Sequence, residues 1–432
     1  MGPFLNVERS LTGRRWVGPD LKVARQGEAI AQATGLPAPL CNVLAKRGVT
    51  PQDADAFLAP TLKDLLPNPR SLRDMEKATA RILAAVKARQ KIAIFADYDV
   101  DGGTSAALII DWLRHFDQSA TLYIPDRIDE GYGPNDEAMA MLAAAHDLII
   151  CVDCGTLSHG PITAAVGADV VVLDHHLGGE TLPPAHAVVN PNRADETGDL
   201  AHLCAAGVVF LMLVEAGRQL RIDNATGPNL LNMLDLVALG TVADVAPLIG
   251  VNRALVRQGL TVMARRERTG ITALADVSRM DTAPSSYHLG FLLGPRVNAG
   301  GRIGKADLGA RLLATRNPHE AKAMAERLDM LNTERREIEN NVRAAALEQA
   351  EERGFDEPLV WAAGEGWHAG VVGIVASRLK DAAHRPAIVI GFDGDAGKGS
   401  GRSISGVDLG AAIQKLAHEG LIEKGGGHKM AA

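Results

Sequence analysis

The sequence predicts an α/β protein: a parallel-sheet domain joined by a long helix to a smaller α/β domain, preceded by a short helical N-terminal region. Three observations carry that expectation. Short apolar runs alternate with helix-like segments from residue 91 to about 250. Residues 316–353 are highly charged and nearly free of helix breakers. Beyond Gly354 the strand–helix alternation resumes on a smaller scale. At 432 residues the chain is also too long for one core, which favours two or three domains.

The elements follow in order. Residues 1–90 carry Arg14, Arg15, Arg25 and several prolines, read as mostly helical, and show no chemistry. The next domain is expected over 91–315, with strand-like runs at 92–96, 120–124, 147–152 and 169–173. Helix-like runs fall at 105–115, 137–144, 158–166 and 205–219. The charged stretch at 316–354 reads as one exposed linker helix, roughly 35–50 Å long at 1.5 Å per residue. The last domain, 355–432, has strand-like residues 359–362 and 386–390 with a helix at 370–379 between them. Its Gly-rich stretches, 397–406 and 425–427, read as loops.

Composition narrows the class. The chain is 47% hydrophobic, 22% charged and only 4% aromatic, with 45 basic against 52 acidic residues and a net charge of −7. That balance does not itself point to nucleic acid, although an acidic metal enzyme can still carry local basic surfaces. No run is long and apolar enough for a membrane span, and the N-terminus lacks the apolar core of a signal peptide. Four cysteines are too few for a disulfide framework, so a cytoplasmic protein is expected.

The chemistry concentrates where strands should end. The first run leads into Asp97-Tyr-Asp99-Val-Asp101-Gly-Gly. Carboxylates at alternate positions beside a sheet are costly to bury unless a cation joins them. An EF-hand is excluded, because its twelfth position needs Glu and is Leu108 here. The third run delivers Asp153 and the fourth delivers Asp174-His175-His176; an apolar segment, 234–242, then delivers Asp244. A lone strand-end Asp is more often a cap or turn former. Together these residues read as donors at the successive strand tips of one sheet, a set suited to two Mn²⁺ or Mg²⁺ ions. Cys151-Val-Asp-Cys154 lacks the second pair of a zinc site.

Asp97-Tyr-Asp-Val-Asp-Gly, Val152-Asp-Cys-Gly, Asp174-His-His and Gly240-Thr-Val-Ala-Asp244 resemble the four ordered motifs of the DHH phosphoesterase superfamily. Within it the chain is similar to the RecJ family of bacterial single-strand-specific exonucleases over nearly its whole length. Gly294-Pro-Arg-Val-Asn-Ala-Gly-Gly-Arg302, the stretch from Trp367 to Arg378, Gly399-Ser-Gly-Arg-Ser403 and Gly425-Gly-Gly-His428 extend the resemblance.

The resemblance implies Asp99, Asp101, Asp153, His175 and Asp244 as metal ligands, with Asp153 bridging two divalent ions, Mn²⁺ preferred and Mg²⁺ accepted. It implies Asp97, Asp174 and His176 as neighbouring catalytic groups, and Arg296, Asn298, Arg302, His368, Arg378, Arg402, Ser403 and His428 as substrate contacts. It further implies 5′→3′ hydrolysis of single-stranded DNA to mononucleotides in repair and recombination. The implied setting is a monomer off the membrane, working with a helicase or single-strand-binding protein. A small-substrate phosphodiesterase of the same superfamily and a non-catalytic DNA-binding scaffold are the alternatives. Many relatives have His where Phe95 stands, and relatives continue beyond this C-terminus into an OB-fold, whose stacking platforms this aromatic-poor chain scarcely replaces. Poorer affinity with retained chemistry is the expectation.

Overall fold

The computed structural model describes residues 2–432 other than 19, 128, 129, 356 and 428. Strands β1 (Ile92–Ala96), β2 (Ala120–Tyr123), β3 (Leu148–Val152), β4 (Asp169–Leu173) and β5 (Ala187–Val189) form a five-stranded sheet in the order β2-β1-β3-β4-β5. Every pairing in it is parallel. β1 and β3 are wholly buried, as expected of parallel strands covered on both faces. The chain leaves β1 towards β2 on one side and returns to β3 on the other, so the carboxyl ends of β1 and β3 flank a topological switch point. Asp97 and Asp153 directly follow those two strands.

Asp99 caps the helix Val100–Arg114, its Oδ1 accepting from the amides of Asp101 and Gly102 at 2.8 and 3.2 Å. The helix therefore starts five residues earlier than its apolar pattern indicates, and Asp101 lies in its first turn. One sheet face and this helix share a large core with Ala205–Ile222 and Leu234–Ala243. That core reaches back to Leu72, Met75 and Ile82, so the helix Met75–Lys87 packs with the sheet. The small cluster around Ile30, Cys41 and Leu44 is separate.

Two expectations require correction. Asp244 does not end a strand: it caps the helix Leu234–Ala243. Every residue from Leu234 to Thr241 is buried, so the segment has no polar face to reveal a helical period. Nor is the first Gly-rich stretch a loop. Ala396–Arg402 forms β8, antiparallel to β7 (Ala387–Asp393), which pairs in parallel with β6 (Val360–Glu365). A Cβ at Gly401 would sit 2.6 Å from Leu409, so close packing rather than a turn calls for glycine there.

The helix Pro318–Arg353 joins the two sheets, and it is only partly exposed. Ala321, Ala325, Leu328 and Leu331 enter the large core, whereas Val342, Ala346 and Ala350 enter the core of the second unit. Polar Asn332, Arg335 and Glu339 occupy the buried stripe between them, which hides its periodicity.

Candidate metal centre and substrate cleft

Asp97, Asp99, Asp101, Asp153, His175 and Asp244 converge at the switch point. Three groups of donors each lie within 4.8 Å: Asp97–Asp99–Asp153, Asp101–His175–Asp244 and Asp153–His175–His176. Asp153 and His175 each belong to two of them. His175 Nε2 stands 3.2 Å from Asp153 Oδ1 and 3.7 Å from Asp101 Oδ2, with its Nδ1 3.9 Å from Asp244 Oδ2.

Local structure aims each group. Asp153 adopts a left-handed backbone with φ of 61°, a conformation sparse outside glycine and concentrated at functional sites. Asp101 accepts from the first amides of the Ala205–Ile222 helix, Ala205 N at 2.6 Å and Ala206 N at 2.9 Å. Gly240 permits this approach, since a Cβ there would lie 2.9 Å from Asp101 Oδ1. The acidic loop is clamped by the helix Gly294–Ile303: Asn298 Oδ1 accepts from Val100 N at 3.1 Å, and Gly301 presses on Tyr98.

Asp174 is held differently from its neighbours. It accepts from Thr156 N, His175 N, His176 N and His176 Nδ1 at 3.1, 2.7, 3.2 and 2.8 Å. Burial opposes its charge, but the His176 and Thr156 hydrogen bonds hold its carboxyl below the usual range. Burial likewise works against a charged His176, yet Asp174 raises the imidazole to about 9.

Asp97, Asp153 and Asp244 have no such imidazole hydrogen bond. Burial, then the charge of Asp99, pushes Asp97 well above the carboxylate range; burial and Asp101 do the same to Asp153. Burial and Asp101 raise Asp244 to about 8. Asp97 Oδ1, Asp153 Oδ1 and His175 Nε2 are buried without a hydrogen-bond partner. Orphaned donors of this kind, clustered among like charges, fit divalent ions: a cation supplies the missing partner and reverses the local field.

The expected substrate residues divide. His368 caps the helix Ala369–Ala383, its Nδ1 accepting from Gly370 N at 3.0 Å, which leaves the proton of the neutral ring on Nε2. Arg302 donates to Gly370 O at 3.0 Å and bridges the two units. Arg402 rests against Gly373 and donates to Ser400 Oγ at 2.9 Å. Burial lowers Arg302 to about 10 and lowers His368 and Arg402, and Arg127 adds to all three shifts. Arg127 thus lies within electrostatic reach of Arg302, Arg402 and the neutral ring of His368.

Arg296, by contrast, is buried against Asp329 at 2.8 Å and the Leu292 carbonyl at 2.7 Å. Ser403 is buried and donates to Val407 O at 2.9 Å, and Arg378 stands 4.0 Å from Glu339 at an exposed position. His428 lies outside the described residues. Phe95 is buried on the second sheet face, stacked 5.4 Å from Tyr123.

Sequence reasoning missed several residues. Asn190 donates to Thr156 Oγ1 and to His176 O, both at 2.8 Å, while Asn192 donates to His175 O at 2.6 Å. They fix the histidine loop from the end of β5, a strand too short to stand out. Tyr132 donates to Asp153 O at 3.1 Å and meets His176, and Arg127 lies 5.2 Å over the Tyr98 ring. The pattern Gly131-Tyr-Gly133 was the available signal for Tyr132.

Such a sheet, with acidic and imidazole donors at its switch point and a long helix leading to a second α/β unit, defines a DHH-type protein. Residues 91–241 match the DHH family, N-terminal domain, and residues 356–432 match the DHHA1 domain. The single-stranded-DNA-specific exonuclease RecJ of Dickeya dadantii is 42% identical over 416 residues, 92% of this chain and 72% of that protein. The Escherichia coli RecJ is 40% identical, covering 92% and 71%. RecJ in complex with Mn²⁺ from Thermus thermophilus superposes with a TM-score of 0.80 at 31% identity, covering 94% of this chain and 57% of that one. A second solved structure, exonuclease RecJ bound to manganese, gives 0.73 at 33% identity, covering 83% and 89%. The chain belongs to the RecJ family.

Proposed function

We propose that the protein is a metal-dependent exonuclease that hydrolyses single-stranded DNA 5′→3′ to mononucleotides, in DNA repair and recombination. One observation carries this: overlapping donor groups share Asp153 and His175 and leave three buried atoms without partners. Asp101, His175 and Asp244 would hold one ion, and Asp97, Asp99 and Asp153 the other. Asp97 thereby moves from neighbour to ligand. When bound, two such ions supply Lewis-acid activation of water and of the phosphoryl group. Mn²⁺ suits the mixed carboxylate and imidazole donors, and Mg²⁺ is accepted.

The chain's own residues do the rest. His176, held through Nδ1 by Asp174, presents its ring beside the reacting phosphate. Arg127, Arg302, His368 and Arg402 receive a strand's terminal phosphate. Asn190, Asn192 and Tyr132 keep the histidine loop rigid, so little reorganisation is needed when substrate binds. The enzyme works as a cytoplasmic monomer on strands exposed by a helicase or single-strand-binding protein. Digestion of 5′- and 3′-labelled single- and double-stranded DNA with Mn²⁺, Mg²⁺ or EDTA tests the reading. Release of 5′ label from single strands only, abolished by EDTA, is expected; cleavage in EDTA or release from the 3′ end overturns it.

A further inference from the structure

Where a chain so poor in aromatic residues could grip bases is answered by one helix. The π-helical turns His288–Leu293 run directly into the helix Gly294–Ile303. Along one face positions 287 and 291 are exposed and 295, 298 and 302 half-buried, whereas 289, 293, 296, 297 and 299 are buried. That face carries Asn298, which touches the acidic loop, and Arg302, which lies within electrostatic reach of Arg127. At its other end are Tyr287 and Phe291, 64% and 68% exposed, with ring centroids 5.2 Å apart and planes 27° from parallel. Gly290 and Gly294 pack on Val242 and Ala243, the residues just before Asp244. The aromatic pair therefore sits on a helix packed against the segment that leads into Asp244, with Phe291 about 10 Å along it from Asn298.

We infer that Tyr287 and Phe291 are a stacking platform for nucleobases of the single-stranded substrate, on the retained side of the scissile bond. The inference rests on the exonuclease reading above. Order along this face sets the side: the terminal phosphate lies at Arg302, the reacting phosphate near Asn298, and the following bases reach Phe291 and then Tyr287. The two rings stack on each other, Tyr287 also meets His288 edge-on, and both stay exposed to water, while any base offers a π-face to them. Residues four apart share one helical face, so these π-helical turns, a feature frequent at functional sites, present both rings together.

The test compares a long single strand with a 5′-phosphorylated dinucleotide, which ends beside the metal centre. In Phe291→Ala the preference for the long strand, as the ratio of the two kcat/KM values, falls about tenfold, with the change in KM. Tyr287→Ala added to it deepens the loss. Phe291→Trp restores the preference, and Phe291→Leu, which keeps apolar bulk without a π-face, does not. The salt dependence of binding keeps its slope, since no phosphate contact is removed. An unchanged ratio, or rescue by leucine, overturns the platform. If the unsubstituted protein cuts neither substrate, the exonuclease reading itself fails and the platform with it.

Discussion

The two ends of the Val100–Arg114 helix both bear buried carboxylates, and they are treated in opposite ways. At the last turn, Asp111 and Asp235 grip the buried Arg268 at 2.5 and 2.7 Å, and Arg114 adds a bond to Asp111 at 2.9 Å. At the first turn, Asp101 joins Asp97, Asp99, Asp153 and Asp244 with only His175 and His176 among them. The first arrangement is complete without any added ion. The second keeps unpartnered atoms and raised carboxyls, a state that folding alone does not favour. Buried charge that the chain itself neutralises holds a fold together; buried charge left open marks a place for a cation.

Breaking each end should give opposite results. Asp153→Ala is expected to lower hydrolysis by about a thousandfold or more, with native circular dichroism. In EDTA its Tm should equal or exceed that of the unsubstituted protein, because a repelled carboxylate is gone. Retention of full activity in Mn²⁺ would remove Asp153 from the centre. Arg268→Ala should do the reverse, costing about 3–5 kcal/mol of stability by stranding two carboxylates, with unchanged kcat per folded molecule.

The open end also predicts a pH dependence. A carboxyl raised by folding binds more protons folded than unfolded, so its contribution to stability is present below the unfolded value. That contribution is lost as pH rises through the folded value. For Asp244 the window runs from 3.8 to about 8. Metal-free protein should therefore lose Tm across that window, and saturating Mn²⁺ should flatten the slope. An equal slope with and without metal would count against the site.

The smallest effects separate two residues of one motif. Arg402→Ala should raise KM about tenfold and reduce the salt slope of binding by about one, as loss of a phosphate contact does. Ser403→Ala should leave KM alone and cost about 1 kcal/mol, since its hydroxyl already serves Val407.

Much of the fold was legible because its strands are short, apolar and followed by helices. β1 and β4 begin and end where the apolar runs do, and Asp97, Asp153 and Asp174 stand at the ends those runs indicate. Glycine hid β8, and uniform burial disguised the helix before Asp244. Both failures are of pattern: period carries information only where one face differs from the other.

By itself the sequence determined the parallel sheet, the long connecting helix and the acidic and histidine residues that follow its strands, since these depend on local apolar runs and on adjacent residues. Only the tertiary structure decided which donors share a position. It grouped Asp97 with Asp99 and Asp153, turned Arg296 and Ser403 inward, set Arg127 over the Tyr98 ring and stacked Tyr287 with Phe291. Direction of a side chain follows from what packs behind it, and that packing joins residues far apart in the chain.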